Sequence, residues 1–412
     1  MPKSNTPFRS TFLNQEAASA WNYFIDKGYP TSNDENWRYS SPRKWINNNI
    51  KNITLKNELN KKDFTQYLIP GCINILIGND RLVQSEKIPN YIQVGEFISD
   101  TDNKNYYPYI SKMCNYKTSP FNAENTALFQ NLITMNIKKE YQNQKPLHII
   151  HLIQNPTSVK IFPRIYINIE KTSNINIWKT EISNDDNNYY INQITEINTC
   201  QNSNVKWYNI QKQNYYSTSI SSFNITCERN TSFQYNSFDY GGKFIRHDIN
   251  SYLVSKGSNY EINSLFAPNK SQHVDIASKV YHQAPFCSSN QLIKGVLSEK
   301  SSAVFRGLAH VNKKAIKTDA QQTNNNIILS PNAQMNSIPQ LEIFEEDVKC
   351  THGSTTGKIN EDALFYLQSR GISHAKAMEI MIHGFVNEII EKIEHENIRN
   401  DFYHLLNNKW KS

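Results

Sequence analysis

The stretch LEIFEEDVKCTHGSTTG, residues 341–357, sets four strand-type residues, Leu341, Glu342, Ile343 and Phe344, just ahead of Cys350 and His352. Side chains on a strand alternate between faces, so Cys350 and His352, two positions apart, project together. A thiolate beside an imidazole is a ligand pair for soft metal ions. The same pattern also fits a buried cysteine next to a surface histidine. Two ligands do not close a tetrahedral site. If Cys350 and His352 hold a metal, the remaining ligands come from elsewhere, including another subunit.

Downstream the pattern turns helical. Asn360 can cap a helix whose first turn carries Glu361 and Asp362, and Gly371 supplies a left-handed stop after Arg370. Ser373 can cap a longer helix in which Met378, Met381, Ile382, Phe385, Ile389 and Ile393 form one apolar stripe. The segment has little of its own to bury against. The Met378, Ile382, Phe385 and Ile389 face therefore reads equally as internal packing or as a partner-docking surface. Residues 401–410 suit a last short helix. Residues 358–412 thus read as a helical C-terminal domain.

Upstream, residues 135–348 are dominated by short alternating runs: VKIF at 159–162, IYINI at 165–169, INIW at 175–178 and VKWY at 205–208. Similar runs follow at 231–235, 260–265, 303–305 and 327–329. They read as strands of four to six residues joined by polar turns. A sandwich, a propeller and a β-helix all fit, because no fixed period stands out. Residues 1–134 read as a mostly helical cap. Residues 14–27 carry Ala18, Trp21, Phe24 and Ile25 at helical spacing before Gly28, and residues 121–132 suit a second helix. Between them, residues 73–77 suit a strand entering a turn at Gly78, Asn79 and Asp80.

Composition narrows the class. The 412 residues are enough for a sizeable core, and 44 basic against 37 acidic residues give a net charge of +7. That is a mild excess with no Lys/Arg run, which argues against a nucleic-acid partner. Cys72, Cys114, Cys200, Cys227, Cys287 and Cys350 form neither a C-x-x-C nor a zinc-finger spacing, as expected for free thiols in a reducing, cytoplasmic compartment. The opening MPKSNTPFRSTFLNQ lacks an apolar signal core, and no apolar run approaches the ~18–20 residues that span a bilayer. The phosphate-binding G-x-x-x-x-G-K-[ST], the nucleophile elbow G-x-S-x-G and the dinucleotide G-x-G-x-x-G do not occur. His148 and His151, three apart in an apolar run, suit core or surface positions better than a metal site. His282 and Cys287 flank Pro285 in a turn and read as structural.

DVKCTHGSTTGKINEDALFYLQSRGIS at 347–373, KTDAQQTNNNIILS at 317–330 and PQLEI at 339–343 resemble the SufB/SufD family, scaffold subunits of the Suf iron–sulfur cluster assembly machine. GYPTSNDENWRYS at 28–40 resembles that family's G-x-P…E-x-W-x-Y segment, and DVKCTHG and FYLQSRGI are close to its SufD version. Residues 131–246 carry none of its motifs. The resemblance implies a right-handed parallel β-helix over residues 135–357, with asparagine ladders at its corners. It implies a heterodimer with a SufB-like paralogue joined through the β-helices, and a SufC-like ABC-type ATPase docked on residues 358–412. A nascent cluster, or iron, would be handled near that junction, with Cys350 and His352 as shared ligands. The SufB-like partner has a thiol where this chain reads Asn324, Asn325 and Asn326, and Glu-His-Glu where it reads Thr351, His352 and Gly353. The chain is therefore expected to be the ligand-poor partner, without enzymatic activity and without a tightly bound cofactor of its own. A flavin in the complex and a homodimer of the isolated chain stay open. Arg246 and Asp248 resemble the family's R-x-D and read as a rung-stabilising ion pair.

Two other readings compete. A polysaccharide-active β-helix enzyme needs Asp/Glu clustered with Arg/Lys on neighbouring rungs, usually behind a secretion signal. Here the acidic residues are dispersed and the signal is missing. A generic β-scaffold for protein contacts would not call for Cys350-x-His352 beside FYLQSRG, which favours the Suf reading.

Overall fold

The computed structural model describes residues 11–46, 59–83, 88–98, 114–139, 141–142, 145–154 and 159–410. The first ten residues, part of the stretch read as lacking a signal core, lie outside them. In chain order the strands begin with β1 (Ile73–Gly78), β2 (Arg81–Val83), β3 (Ile92–Ile98), β4 (Asn131–Ile137), β5 (Leu147–Ile153), β6 (Val159–Ile161) and β7 (Arg164–Ile169). They continue with β8 (Asn174–Ser183), β9 (Tyr189–Thr199), β10 (Asn204–Lys212), β11 (Thr218–Cys227), β12 (Ser232–Asp239), β13 (Phe244–Leu253) and β14 (Asn259–Phe266). The last are β15 (His273–His282), β16 (Ser288–Leu297), β17 (Ser302–Val311), β18 (Asp319–Ile328), β19 (Gln334–Ile343) and β20 (Lys349–Gly357).

From β8 onward the chain alternates between two sheets. Sheet I runs β2-β1-β5-β8-β10-β12-β14-β16-β18-β20, and sheet II runs β3-β4-β7-β9-β11-β13-β15-β17-β19. The pairing within each sheet from β8 to β20 is parallel. The result is a β-solenoid of about seven turns, the β-helix expected from the resemblance. Its interior is packed with Ile149, Trp207, Phe223, Tyr235, Ile262, Ile276 and Phe305, drawn from both sheets. Most solenoid strands are eight to eleven residues long, longer than expected. Polar residues such as Asn209, Ser237 and Ser264 continue these strands in the buried rows, so the apolar runs alone understated their length.

A repeat hides in the turns. Thr172, Asn202, Asn230, Gly257, Phe286 and Lys317 all have positive φ, between 54° and 77°, two residues before successive sheet I strands. Asn174, Asn204, Ser232, Asn259, Ser288, Asp319 and Lys349 are in register, so the repeat drifts between 27 and 31 residues. After the left-handed residue comes a small hydroxyl. Ser203, Thr231, Ser258 and Thr318 each donate to the carbonyl three residues back, at 2.7–2.8 Å. Cys287 takes that place in its own turn, with Sγ 3.4 Å from the Ser255 carbonyl. Asparagine ladders climb the turns, as in Asn136–Asn168–Asn198, at 2.8 and 3.0 Å.

Helices cover the outer faces of both sheets. α1 (Thr11–Lys27) packs against α2 (Pro120–Leu128), and α2 together with the segment around Trp37 and Ile46 lies on sheet II against Tyr166, Tyr190, Ile220 and Phe244. Within residues 1–134 helices alternate with strands: β1, β2, β3 and part of β4 belong to the two sheets, with β1 at the strand expected over residues 73–77. After β20 come α3 (Glu361–Ser369), α4 (His374–Ile390) and α5 (Glu396–Trp410). The Asn360 side chain accepts from Ala363 N–H at 2.9 Å, and Gly371 has φ +83°, as expected from the caps.

Candidate functional site

The C-terminal end of the solenoid is bare. β20 is the last strand of sheet I and β19 the last of sheet II. Most residues of both strands are exposed or half-buried, whereas earlier turns are closed. Cys350 and His352 lie on β20, so the pair read from the sequence sits at this end.

Register fixes which way they face. Ile262, Gln291, Gln322 and His352 occupy one row across β14, β16, β18 and β20, and Tyr260, Ser289, Ala320 and Cys350 occupy another. Paired residues on parallel strands share a face, and Tyr260 and Ile262 belong to the interior core. Both candidate ligands therefore face the mouth of the lumen, with Cα atoms roughly 7 Å apart. Cys350 is half-buried and His352 exposed. Burial raises the Cys350 thiol above its usual pKa, and the Asp319 carboxylate adds to this. The pair thus lacks the electropositive setting that makes a thiolate by itself.

The lumen turns polar as it approaches the mouth. Gln322 Nε2 donates across it to the Gln340 carbonyl at 3.1 Å, and Ser354 Oγ bonds Ser337 Oγ at 2.8 Å. Asn324 and Asn326 exchange amide bonds, and Asn326 reaches Thr356 Oγ1 at 3.2 Å. Gly307 makes room for this: a Cβ there would meet Gln322 Oε1 at 2.4 Å. On β18 the inward row of Gln322, Asn324 and Asn326 is thus amide throughout. Among the described residues no three His, Cys, Asp or Glu side chains converge to hold a metal ion. Cys350 and His352 supply two candidate ligands, short of the four of a closed tetrahedral site.

Other sequence candidates fall elsewhere. His148 and His151 face opposite sides of β5. His148 Nδ1 donates to Asn74 Oδ1 and Nε2 meets Thr180 Oγ1, while His151 Nε2 donates to the Asn79 carbonyl. They cannot share a metal. His282 is buried against Ser289 Oγ at 2.9 Å. Arg246 crosses between turns, binding Asp248 on β13 at 2.7 Å and Asp275 on β15 at 2.5 Å. It also lies 4.5 Å from the Trp37 ring centroid and donates to the Asn36 carbonyl, so the two distant motifs meet on sheet II. His247, between them, faces inward, with Nε2 2.6 Å from Asp239 Oδ1 and Nδ1 bonded to Ser221 Oγ. All three are buried between the sheets.

The apolar stripe is corrected in part. Ile382 and Ile389, with Val386, Ile390 and Ile393, are buried on Trp178, Tyr208, Phe238, Leu265 and Leu292 of sheet I. The outer face of sheet I is itself apolar, a feature invisible from the helix alone. Met378 and Phe385 are half-buried. Lys206–Glu394 and Lys294–Glu388 ion pairs flank the contact. By contrast α3 buries none of its residues, with Phe365 72% and Tyr366 57% exposed. Sequence reasoning missed α3 as a bare surface and missed the polar mouth. The Gln and Asn residues at in-register positions were the available signal for the latter.

A family model described as "SUF system FeS cluster assembly, SufBD core domain" matches residues 151–385. The chain is 28% identical over 381 residues to the iron–sulfur cluster assembly protein SufD of Escherichia coli, covering 90% of this chain and 87% of that one. It is 28% identical over 282 residues to an iron–sulfur cluster assembly SufBD family protein of Synechocystis, covering 66% and 62%. A SufBD family protein of Mycobacterium leprae is 34% identical over 167 residues, covering 39% and 43%. With a two-sheet solenoid and a match over more than half its length, the chain belongs to the SufBD family of iron–sulfur cluster assembly proteins.

Proposed function

We propose that the chain is a non-enzymatic, cytoplasmic scaffold subunit of the SufD kind. It pairs end to end with a SufB-like paralogue, docks a SufC-like ATPase, and lends His352 and Cys350 to iron or a nascent cluster as cargo. The observation that carries this reading is the bare end, where two sheet edges and the candidate ligands coincide. Unpaired edges template strand addition from another chain. Ligands at the lumen mouth would then meet those of the partner, which suits a chain whose described residues bring no three metal ligands together. The ATPase would dock on α3 and the half-buried Met378 and Phe385, since Ile382 and Ile389 are already covered. The test is co-purification of the tagged chain with a SufB-type subunit and a SufC-type ATPase. A stable three-component complex is expected. A chain that captures neither sinks the proposal.

A further inference from the structure

The outer side of sheet II carries a ladder of rings that climbs one turn at a time. Tyr252 stacks on Tyr281 at 5.0 Å and 6°, Tyr281 meets His310 at 5.6 Å, and His310 meets Phe344 at 5.2 Å. Tyr252, Tyr281 and His310 are in register on β13, β15 and β17. Phe344 follows β19, and its N–H donates to the Val311 carbonyl at 2.9 Å. The ladder stops where the sheets stop. Phe344 is 55% exposed, and its neighbour Ile343, at the lumen mouth, 42%.

The shape of the end limits what can cover it. β19 and β20 end side by side on two sheets, which pack about 10 Å apart. An occupant that pairs with both must present two edges at that spacing, as a second two-sheet solenoid does and a lone helix does not. A strand added beyond β19 would lie about 4.8 Å away, close to the spacing at which the rings already stack. Two copies of this chain fit less well. Antiparallel pairing about the middle of β19 would set Phe344 against the polar start of the other β19, at Gln334 and Asn336. It would also put Pro339, which has no N–H, near the dyad.

Building on the pairing proposed above, we infer that Phe344 is the aromatic anchor of the end-to-end junction. It is covered by a side chain from the edge strand of an unlike, paralogous two-sheet solenoid. Anchors of this kind concentrate binding energy at interfaces.

The test measures the affinity of a purified SufB-type subunit for the wild-type chain, Phe344→Ala, Phe344→Leu and Tyr216→Ala by calorimetry. Tyr216, 50% exposed in the turn between β10 and β11, lies away from the bare end. Phe344→Ala should weaken binding by about tenfold or more, Phe344→Leu should restore most of it, and Tyr216→Ala should leave it unchanged. Phe344 is exposed enough that the unbound variant should keep the wild-type thermal midpoint. A wild-type complex that Phe344→Ala does not weaken overturns the anchor while the pairing stands. No complex with the wild-type chain overturns the pairing and the anchor with it. A dimer of the chain alone in sedimentation, dissociated by Phe344→Ala, overturns the choice of an unlike partner.

Discussion

At the scale of single residues, the structure turns on which side chains face inward. Alternation along β20 was enough to place Cys350 and His352 on one face. That the face is the lumen mouth needed the rows through Gln322 and Ala320, which only the strand register supplies. The histidines make a separate point. Burial, reinforced by nearby cations at His148 and His151, lowers their pKa from 6.5 to about 3 at His148 and about 4 at His151; burial likewise takes His273 and His282 to about 4. A base held neutral in the fold contributes stability that is complete above its unfolded pKa. That stability is lost as pH falls toward the folded value. Between pH 7 and pH 4 each such histidine should therefore cost on the order of 3 kcal/mol. Urea midpoints measured at pH 7 and pH 5 should fall steeply for the wild type and less steeply for His282→Gln; parallel curves would refute this. Phe286, a bulky residue at φ 59°, occupies a turn position that Asn202, Asn230 and Gly257 hold in three of the other turns. Phe286→Asn should raise stability by about 1 kcal/mol, and a lowered midpoint would contradict it.

At the scale of elements, the caps of α3 and α4 and the alternating strands were legible because they depend on neighbours in sequence. The turn repeat was not. Its triplets, Thr172-Ser173-Asn174, Asn230-Thr231-Ser232 and Phe286-Cys287-Ser288 among them, share a backbone conformation and a small hydroxyl or thiol more than any fixed residue. A spacing that drifts between 27 and 31 hides them further. The apolar stripe of α4 was seen correctly as a stripe, but its destination depended on the outer face of sheet I. Removing residues 358–412 would uncover Trp178, Tyr208 and Phe238, so a truncated chain is a poor probe of ATPase docking. Point substitutions separate the roles. Ile389→Ala should cost about 2–5 kcal/mol in chemical denaturation. Phe365→Ala should leave stability within about 0.5 kcal/mol while weakening capture of the ATPase. The reverse pattern would mean that α4, not α3, is the docking element.

At the scale of the whole molecule, the chain is a two-sheet solenoid whose C-terminal end is unfinished. Straps cover both outer faces, and the Arg246 bridge pins the Trp37 segment to sheet II. Among the described residues the mouth, the two last strands and α3 form the bare end. The family resemblance pointed to this architecture from motifs at the two ends of the chain. The middle turns could not be matched by motif because their rows need only be apolar inside and Asn- or Ser-rich at the corners. The central claim is that cargo is handled at the bare end through ligands shared between two chains. Anaerobic reconstitution with iron and sulfide, performed on the chain assembled with the proposed SufB-type and SufC-type partners and followed by cluster absorbance, tests it most directly. His352→Ala should lower the cluster yield without dissociating the subunits, Cys350→Ala should lower it less, and the isolated wild-type chain should bind little iron. A complex carrying both Cys350→Ala and His352→Ala that reconstitutes to the wild-type yield would contradict the claim and leave the pair as structural residues.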